Sequence, residues 1–97
     1  MYGTIAKLRV KEGMEEDFLS QARAEDQLAI AGYLGSSIYR MNADPRELYV
    51  VVAFESKDAY VKNADSPDQD ARYRRLLALL ETEPEWHDGE IIDSHRR

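Results

Sequence analysis

The chain contains no cysteine. This absence excludes a disulfide framework, a thiolate nucleophile and cysteine ligands for zinc or an iron–sulfur cluster. Long apolar segments are also missing, because the longest run, "YVVVAF" at residues 49–54, falls far short of the ~20 residues that span a bilayer. The N-terminus shows no basic region followed by an apolar one, so no secretory signal is expected. These absences predict a soluble, cytoplasmic protein with no membrane partner.

Positive charge is in short supply as well. The chain has 13 Lys and Arg against 19 Asp and Glu, which gives a net charge of −6 at pH 7. An acidic surface repels phosphate backbones, so we expect no nucleic-acid partner. The one basic cluster, "RYRR" at residues 72–75, is interpreted as the solvated edge of a helix. A length of 97 residues, of which 43% are hydrophobic, predicts a single domain over residues 1–97.

Periodicity and turn composition predict elements in the order β-α-β-β-α-β. The first strand is "YGTIAKLRV", in which small or apolar residues alternate with polar ones. A helix with carboxylates in its first turn is expected after Gly13, reaching about Ile30, with Gly32 as its C-terminal cap. The remaining predicted strands are "GYLGSSIYRM" (32–41), "ELYVVVAFE" (47–55) and "GEIID" (89–93).

A second helical region is expected between Ser56 and Pro84. It begins with a short helix, "SKDAYVKNA". A longer helix follows, with Ser66 as N-cap, Pro67 at the first helical position and Gln69 completing a capping box. Pro84 is expected to end that helix, because the residue before a proline disfavours helical geometry.

This order is that of the split β-α-β, ferredoxin-like arrangement, an α+β fold in which helices cover one face of a four-stranded antiparallel sheet. The third strand is apolar without alternation, so both of its faces are expected to be buried. Helices can cover only one of those faces. We therefore expect a second copy to cover the other, which gives a homodimer.

The motifs of the central region together carry a resemblance. The stretch "GYLGSSIYRMNADPRELYVVVAFESKDAYVKNADSPDQDARYRRLLALL" (32–80) has a glycine-initiated strand, a polar turn, an apolar strand ending in aromatic-Glu-Ser, a "SKDAY" helix and an "SP" cap. It resembles the antibiotic biosynthesis monooxygenase family of dimeric α/β barrels, and the likeness extends over residues 2–93. Some members of that family oxidise phenolic polyketides or quinols with O2 and use neither metal nor flavin. Others degrade haem.

The resemblance also argues against haem. Haem-degrading members use an Asn on the first strand, a Trp on the short helix and a His on the long helix. The matching positions here hold Ala6, Asn63 and Tyr73. Because Tyr73 is a much poorer iron ligand than His, haem degradation is disfavoured and no cofactor is expected. No metal site is expected either, because His87 and Asp93 would lie about 20 Å apart along a strand.

Tyr73 and Asn63 are the positions that the resemblance places in a pocket between the sheet and the helices. Tyr73 also lies on the apolar stripe that it forms with Leu76, Leu77 and Leu80, so a hydrogen-bonded core aromatic is the alternative interpretation. For Asn63, the alternative is a residue near a helix end that satisfies local backbone groups.

Glu25 is a third candidate. It lies seven residues after Phe18, near the middle of the apolar arc of the first helix. A partly desolvated carboxylate at that place suits a general base. The alternative is a helix end that diverges from the sheet and leaves Glu25 in solvent, since unpaired buried carboxylates are rare.

His87 is the fourth candidate, within "PEWHDGE" (84–90). Asp88 and Gly89 have a composition typical of a turn, and Trp86 is interpreted as a plug at the mouth of the sheet or the dimer seam. Adjacent His87 and Asp88 point to opposite sides, which argues against a triad. His87 is nevertheless a candidate proton shuttle, because its side chain ordinarily titrates near neutral pH.

Two functions are compatible with these features. The first is a cofactor-independent monooxygenase that oxidises a phenolic, quinol or polyketide-like aromatic molecule with O2 in a dry pocket. The alternative is a non-catalytic dimer on the same fold that binds a small ligand, since the fold alone does not choose between them.

Overall fold

A computed structural model describes residues 1–97 as a four-stranded antiparallel sheet with three helices. The elements are β1 (Tyr2–Arg9), α1 (Glu15–Asp26), β2 (Tyr33–Arg40), β3 (Glu47–Phe54), α2 (Lys57–Ala64), α3 (Pro67–Leu77) and β4 (Glu85–Glu90). The strand order across the sheet is β2-β3-β1-β4. The predicted ferredoxin-like α+β fold is confirmed, with α2 and α3 together in the place of the second helix.

The central strand β1 shows why the sheet has one buried face. Thr4, Ala6 and Leu8 are buried, whereas Ile5 and Lys7 between them are exposed. Successive side chains of a strand point to opposite faces, so alternation in the sequence becomes alternation in burial. Ala6 and Leu8 pack with Phe18 of α1 into one core, whose other members are Val10, Leu48 and Leu80.

The strand register divides the side chains between two faces. On the face beneath the helices, called here the helix-covered face, Ala6 pairs with Trp86 and with Val50, and Thr4 pairs with Asp88 and with Val52. On the other face, called the open face, Ile5 pairs with His87 and with Val51.

The helix α1 is shorter than predicted. It ends at Asp26 and not near Ile30. Leu28, just after that end, is 42% exposed and so gives no core packing that would stabilise a further helical turn. Gly32 caps no helix. It has a φ of +78° at the entry to β2, and a Cβ there would lie 2.6 Å from the Cβ of Ala59 in α2.

The caps of α2 and α3 differ from each other. Ser56 caps α2 as predicted, because its Oγ accepts the backbone N–H of Ala59 at 3.1 Å. Ser66 makes no such bond at the start of α3, although Pro67 does take the first helical turn. The predicted capping box is wrong, since the side chain of Gln69 accepts hydrogen bonds from Arg72.

The end of α3 also precedes its predicted stop. The helix ends at Leu77, well before Pro84. Leu80 leaves the helical path to form an isolated antiparallel bridge with Val10, and it is buried there. The apolar residue at the end of the stripe therefore closes the core from a turn instead of extending the helix.

The last strand occupies an earlier segment than the predicted residues 89–93. β4 runs from Glu85 to Glu90 and pairs with β1 along its whole length. The expected turn at Asp88 and Gly89 is therefore wrong, because both residues lie inside the ladder. The buried Pro84 precedes the strand, a position at which a missing N–H costs no ladder bond.

An ionic cluster ties together the end of the sheet away from α2. Arg9 bonds both Asp44 and Glu81, and Glu81 also bonds Arg46. These four residues come from β1, from the turn between β2 and β3, and from the segment after α3. None of the helices has the length and apolar character needed to cross a membrane.

Candidate functional site

Tyr73 lies on α3 at the edge of the sheet formed by β4. It is half-buried, and its ring stands 6.0 Å from that of Trp86, with the planes tilted by 49°. Trp86 faces the helices because it pairs with the buried Ala6, yet 46% of it is exposed. The pair is an aromatic wall that borders the core and remains open to solvent on one side. Trp86 therefore lies against α3 at the β4 edge.

Asn63 lies on α2, half-buried, three residues after Tyr60. Residues three apart share a face of a helix, so the two side chains belong to the same side of α2. The hydroxyl of Tyr60 donates a hydrogen bond to Oδ1 of Asp88 at 2.9 Å. This contact joins α2 to β4 across β1.

Thr4 lies beneath that hydrogen bond, as the cross-strand neighbour of Asp88. It is only 4% exposed, and its Oγ1 is buried without a hydrogen-bond partner. Buried hydroxyls are nearly always paired, so an unpaired one marks a place where a further polar group would be stabilising. We call Thr4, Tyr60 and Asp88 the hydroxyl cluster.

The surroundings change the acidity of Tyr60. Burial is the first cause, followed by the hydrogen bond to Asp88 and the charge of that carboxylate, and together they raise the pKa of Tyr60 to about 12. The Thr4 hydroxyl lies near enough to turn its proton toward the Tyr60 oxygen and so acts in the opposite direction, although the two hydroxyls do not have the geometry of a hydrogen bond. Tyr60 therefore keeps its proton at neutral pH, and the proton is directed at Asp88.

Aromatic rings continue from the hydroxyl cluster toward β2. Tyr60 meets Tyr2 edge-on at 5.3 Å and Phe54 at 5.6 Å, and Phe54 meets Tyr33 at 5.6 Å. The ammonium group of Lys57 lies 5.9 Å from the centre of the Tyr2 ring. These rings occupy the end of the helix-covered face next to α2. Lys57 brings a positive charge to the edge of that ring cluster.

Glu25 lies half-buried on α1, on the helix-covered side of the sheet. The side-chain amide of Gln21 reaches Oε1 of Glu25 at 3.4 Å and the carbonyl oxygen of Arg72 at 3.1 Å. Arg72 immediately precedes Tyr73, so Gln21 links Glu25 to the segment of α3 that carries the predicted tyrosine.

His87 is placed apart from the other three candidates. It pairs with Ile5 and therefore lies on the open face, where its Nε2 is 2.9 Å from Oε1 of Glu85. Asp88, the next residue, faces the helices. The expected opposite orientation of these neighbours is thus present, and it prevents Asp88 from orienting His87.

The residues under the helices do not fit haem. The chain has two His. One is His87 on the open face, and the other is His95, which pairs with Asp93 in the terminal segment at 2.9 Å. The helix-covered face therefore offers no imidazole as an axial ligand. No group of three or more His, Asp or Glu residues is arranged to hold a metal ion.

Two clefts lie away from the predicted residues. One, of about 670 Å³, is a wide opening beside the edge strand β2, bordered by the segment after α1; its apolar lining includes Leu28, Ile30 and Leu34. The other, of about 290 Å³, is a mostly polar recess beside Lys7 and Glu47. None of the four candidate residues lines either of them.

Sequence reasoning singled out Tyr73 and Asn63 but missed the hydroxyl cluster. One signal was available, since Thr4 belongs to the same alternating set as Ala6 and Leu8 and is the one polar member among them. The spacing of Tyr60 and Asn63 on the short helix was a second signal. The partner Asp88 depends on the register between β1 and β4, which no local pattern reveals.

Comparison with known proteins decides the family. The family model described as antibiotic biosynthesis monooxygenase matches residues 1–75. The chain belongs to this family. The match covers β1 through most of α3, so it includes Thr4, Tyr60, Asn63 and Tyr73 and leaves β4 outside. The resemblance predicted from the sequence motifs is confirmed.

Solved structures of similar proteins share the fold. A variant of SnoaB, a cofactor-independent oxygenase from Streptomyces nogalater, is 16% identical with a TM-score of 0.81, covering 96% of this chain and 94% of SnoaB. Rv0793 from Mycobacterium tuberculosis is 15% identical with a TM-score of 0.79, covering 98% of both chains. A conserved protein from Methanosarcina mazei Go1 is 18% identical with a TM-score of 0.78, covering 91% of this chain and 89% of its own.

Identities this low demonstrate a common architecture and nothing finer. Among curated proteins, none matches the chain in sequence. Any statement about chemistry therefore depends on the residues of this chain.

Proposed function

We propose that this protein is a cofactor-independent monooxygenase that oxidises a phenolic, quinol or polyketide-like aromatic molecule with O2. One observation carries the proposal: on the helix-covered face, the aromatic pair Tyr73–Trp86 stands next to the hydroxyl cluster. Trp86 and Asp88 are two residues apart on β4, about 6.6 Å along a strand. An aromatic ring beside Trp86 therefore has polar groups within reach of its hydroxyl.

The chemistry asks little of the protein beyond positioning and proton control. An electron-rich phenol or anthrone becomes reactive toward O2 once it has lost a proton, because the anion gives up an electron more readily. For an anthrone, one oxygen atom becomes a ring carbonyl and the other leaves as water with the two hydrogens of that carbon. The carbon loses four electrons and O2 gains them, so no external reductant is needed.

The candidate residues take parts according to their placement. Asn63 presents an amide from α2 that can donate to the substrate anion, and Tyr73 packs the ring against Trp86. Glu25, held by Gln21 between α1 and α3, is the proposed base. His87 has the least direct part, as a proton shuttle on the open face, apart from the other three candidates.

The proposal includes a homodimer formed through the open face, in a cytoplasmic setting. Ile5 is 48% and Tyr39 is 56% exposed there, next to Val51 and Ala53 of β3. One end of the same face has little side-chain bulk, because Gly3, Gly35, Gly89 and Ala53 lie side by side there. A second copy that covers these residues removes an exposed apolar patch from water.

The test is O2 uptake by the metal-free protein with a panel of quinols and anthrones. We expect catalytic uptake that falls at least about tenfold in Trp86→Ala, which removes the aromatic wall, and by a smaller factor in Tyr73→Phe. Tyr39→Phe, on the open face, is the matched control and should retain activity. Absence of uptake across the panel, with folded protein, argues against the monooxygenase.

A second function is a non-catalytic dimer that binds a small aromatic ligand. The observation in its favour is that the centre of the helix-covered face is closed, with Ala6 1% and Phe18 2% exposed. A ligand would then bind away from that centre, beside Trp86. Calorimetric binding of quinols without any O2 consumption is the result that selects this alternative.

A further inference from the structure

We propose that the hydroxyl cluster is a subsite that selects ligands carrying a free hydroxyl, with Tyr60 accepting a hydrogen bond from the ligand hydroxyl and Asp88 orienting Tyr60 for that role. The inference rests on the proposed function, since it names the group of an aromatic ligand that this site recognises. It adds a specificity determinant that lies partly on β4, outside the segment matched by the family model.

The direction of one hydrogen bond decides what Tyr60 can offer. A tyrosine hydroxyl has one proton and oxygen lone pairs. Here the proton points to Oδ1 of Asp88, 2.9 Å away, so only the lone pairs of Tyr60 remain for a ligand. Asp88 is an acceptor alone when ionised, and it leaves no choice of direction. Tyr60 is consequently presented as an acceptor, and an acceptor binds a hydroxyl but not an ether or a ketone.

Thr4 supplies the complementary group. Its hydroxyl is 4% exposed and has no partner, and it belongs to the row formed with Asp88 and Val52 directly under Tyr60. A ligand hydroxyl can donate to Tyr60 and accept from Thr4, which satisfies both. An ether oxygen can accept a hydrogen bond from Thr4, but it has no proton to donate, so the lone pairs of the Tyr60 oxygen stay unpaired.

Access to this subsite is from the α2 side. α2 contributes no fully buried residue, so it is anchored less firmly than β1 or β3 beneath it. Helices with few buried contacts open at lower free-energy cost than core strands. Because Tyr60 belongs to α2, a small outward displacement of this helix separates Tyr60 from Thr4 and exposes the Thr4 hydroxyl, so that a ligand hydroxyl fits between the two while Asp88 stays in its ladder position on β4.

The charges that face the cluster are of both signs. Asp88 contacts Tyr60 directly, and Tyr2 lies against the Tyr60 ring with the ammonium of Lys57 over it. Glu90 follows Asp88 by two residues on the same face and pairs with Tyr2. The hydroxyl preference is therefore measured near neutral pH.

The test compares two probes that differ by one methyl group, 1-naphthol and 1-methoxynaphthalene, by titration calorimetry under nitrogen. In the wild type we expect naphthol to bind about five- to tenfold more tightly, the value of one net hydrogen bond. Tyr60→Phe should remove this preference. Thr4→Val, which is close in shape, should weaken both probes by similar factors. Tyr39→Phe on the open face is the control and should match the wild type.

The effect expected of Asp88→Ala would not follow if Asp88 had a merely structural role. It frees the Tyr60 proton to turn toward the ligand, so the ether should gain affinity and the preference for naphthol should fall below about twofold. Asp88→Asn keeps an acceptor in place and should give an intermediate preference. Circular dichroism confirms that each variant is folded, because Asp88 is exposed on an edge strand and its replacement leaves the core intact.

The outcomes separate this inference from the proposed function. Equal or unmeasurable binding of the two probes by the wild type, or a naphthol preference that survives Tyr60→Phe or Asp88→Ala, overturns the subsite. O2 uptake is measured separately. A preference that depends on Tyr60 without any uptake supports the subsite in a ligand-binding protein, whereas uptake without a preference keeps the monooxygenase and rejects the subsite.

Discussion

The hydroxyl of Tyr60 on α2 donates to the carboxylate of Asp88 on β4, although the two residues are 28 positions apart in the chain. The bond crosses above β1, whose Thr4 lies between them with an unpaired hydroxyl. It gives the helix-covered face a polar point beside its aromatic rings, and it has consequences for the acidity of Tyr60 that can be measured.

Alkaline titration should distinguish Tyr60 among the six Tyr of the chain. Burial and the Asp88 contact raise the pKa of Tyr60 to about 12, so the 295 nm absorbance should show a last step near that pH. Tyr60→Phe should abolish that step. Asp88→Asn removes the carboxylate but not the burial, so it should lower the pKa of Tyr60 only part of the way. Tyr39→Phe is the control, and the last step should survive it.

The same pKa shift sets the sign of a stability change. The folded pKa of Tyr60 lies above the value of 10.0 for the free side chain, so the folded state holds the proton more tightly than the unfolded state. Its contribution to the free energy of unfolding is complete below about pH 10 and is lost as the pH rises toward 12. Urea midpoints that decline less over this interval in Tyr60→Phe than in the wild type would agree with this assignment.

Acid should act at the opposite end of the sheet. The hydrogen bond from Arg9, with that from the backbone N–H of Arg46, holds the pKa of Asp44 below its usual value of 3.8. A lowered folded pKa means that the stabilisation is present above about pH 4 and is lost as the pH falls through the folded pKa. Asp44→Asn should therefore have a lower free energy of unfolding than the wild type at neutral pH, and its stability should depend less on pH in the acid range.

The control for this acid effect is Asp70→Asn. Asp70 pairs with Arg74 one turn away on α3, at 3.1 Å, with both side chains largely exposed. Such pairs contribute little to stability, so the urea midpoint of this variant should follow the wild type from neutral pH downward. An Asp44→Asn profile parallel to that of the wild type would contradict the assigned role of Asp44.

Elements whose own sequence indicates their structure were predicted well, and elements that depend on distant parts of the chain were not. β3 was placed to within one residue, because its run of β-branched residues is a strong local signal. β4 begins four residues earlier than predicted and ends three residues earlier, since "EWHDGE" carries no apolar alternation and forms a strand only by pairing with β1. The end of α1 was misplaced because Gly32 has the character of a helix cap, whereas its positive φ serves the entry to β2.

The candidate site shows the same division. Tyr73 and Asn63 came from motifs of the central segment, and both lie on helices that cover the sheet. The bond between Tyr60 and Asp88 depends on the β1–β4 register and on the direction of α2, which are properties of the assembled chain. A tyrosine and an aspartate that far apart in sequence give no sign of contact.

A matched pair of glycine substitutions tests the entry to β2. Gly13 and Gly32 have φ angles of +80° and +78°, so alanine is strained at both, by about 1 kcal/mol. A Cβ added at Gly13 would have open space within 4 Å, whereas a Cβ added at Gly32 would lie 2.6 Å from the Cβ of Ala59. Gly32→Ala should therefore reduce the free energy of urea unfolding clearly more than Gly13→Ala.

The comparison isolates packing from backbone strain. Because Ala59 belongs to α2, the clash should displace that helix, and Gly32→Ala should also shift the last step of the alkaline tyrosine titration. Equal losses of stability in the two glycine variants would show that α2 yields freely and does not press on the β2 entry.

The open face provides the last prediction, which concerns assembly. Ile5 is 48% exposed on the central strand, where it lies between His87 and Val51. If a second copy covers this face, Ile5→Glu buries an unpaired carboxylate in the interface and should shift the protein from dimer to monomer in sedimentation velocity. Val61→Glu is the control, because Val61 is 42% exposed on α2 and should leave the dimer intact. A wild type that sediments as a monomer at all concentrations would contradict the dimer directly, and an Ile5→Glu variant that stays dimeric would place the contact on another surface.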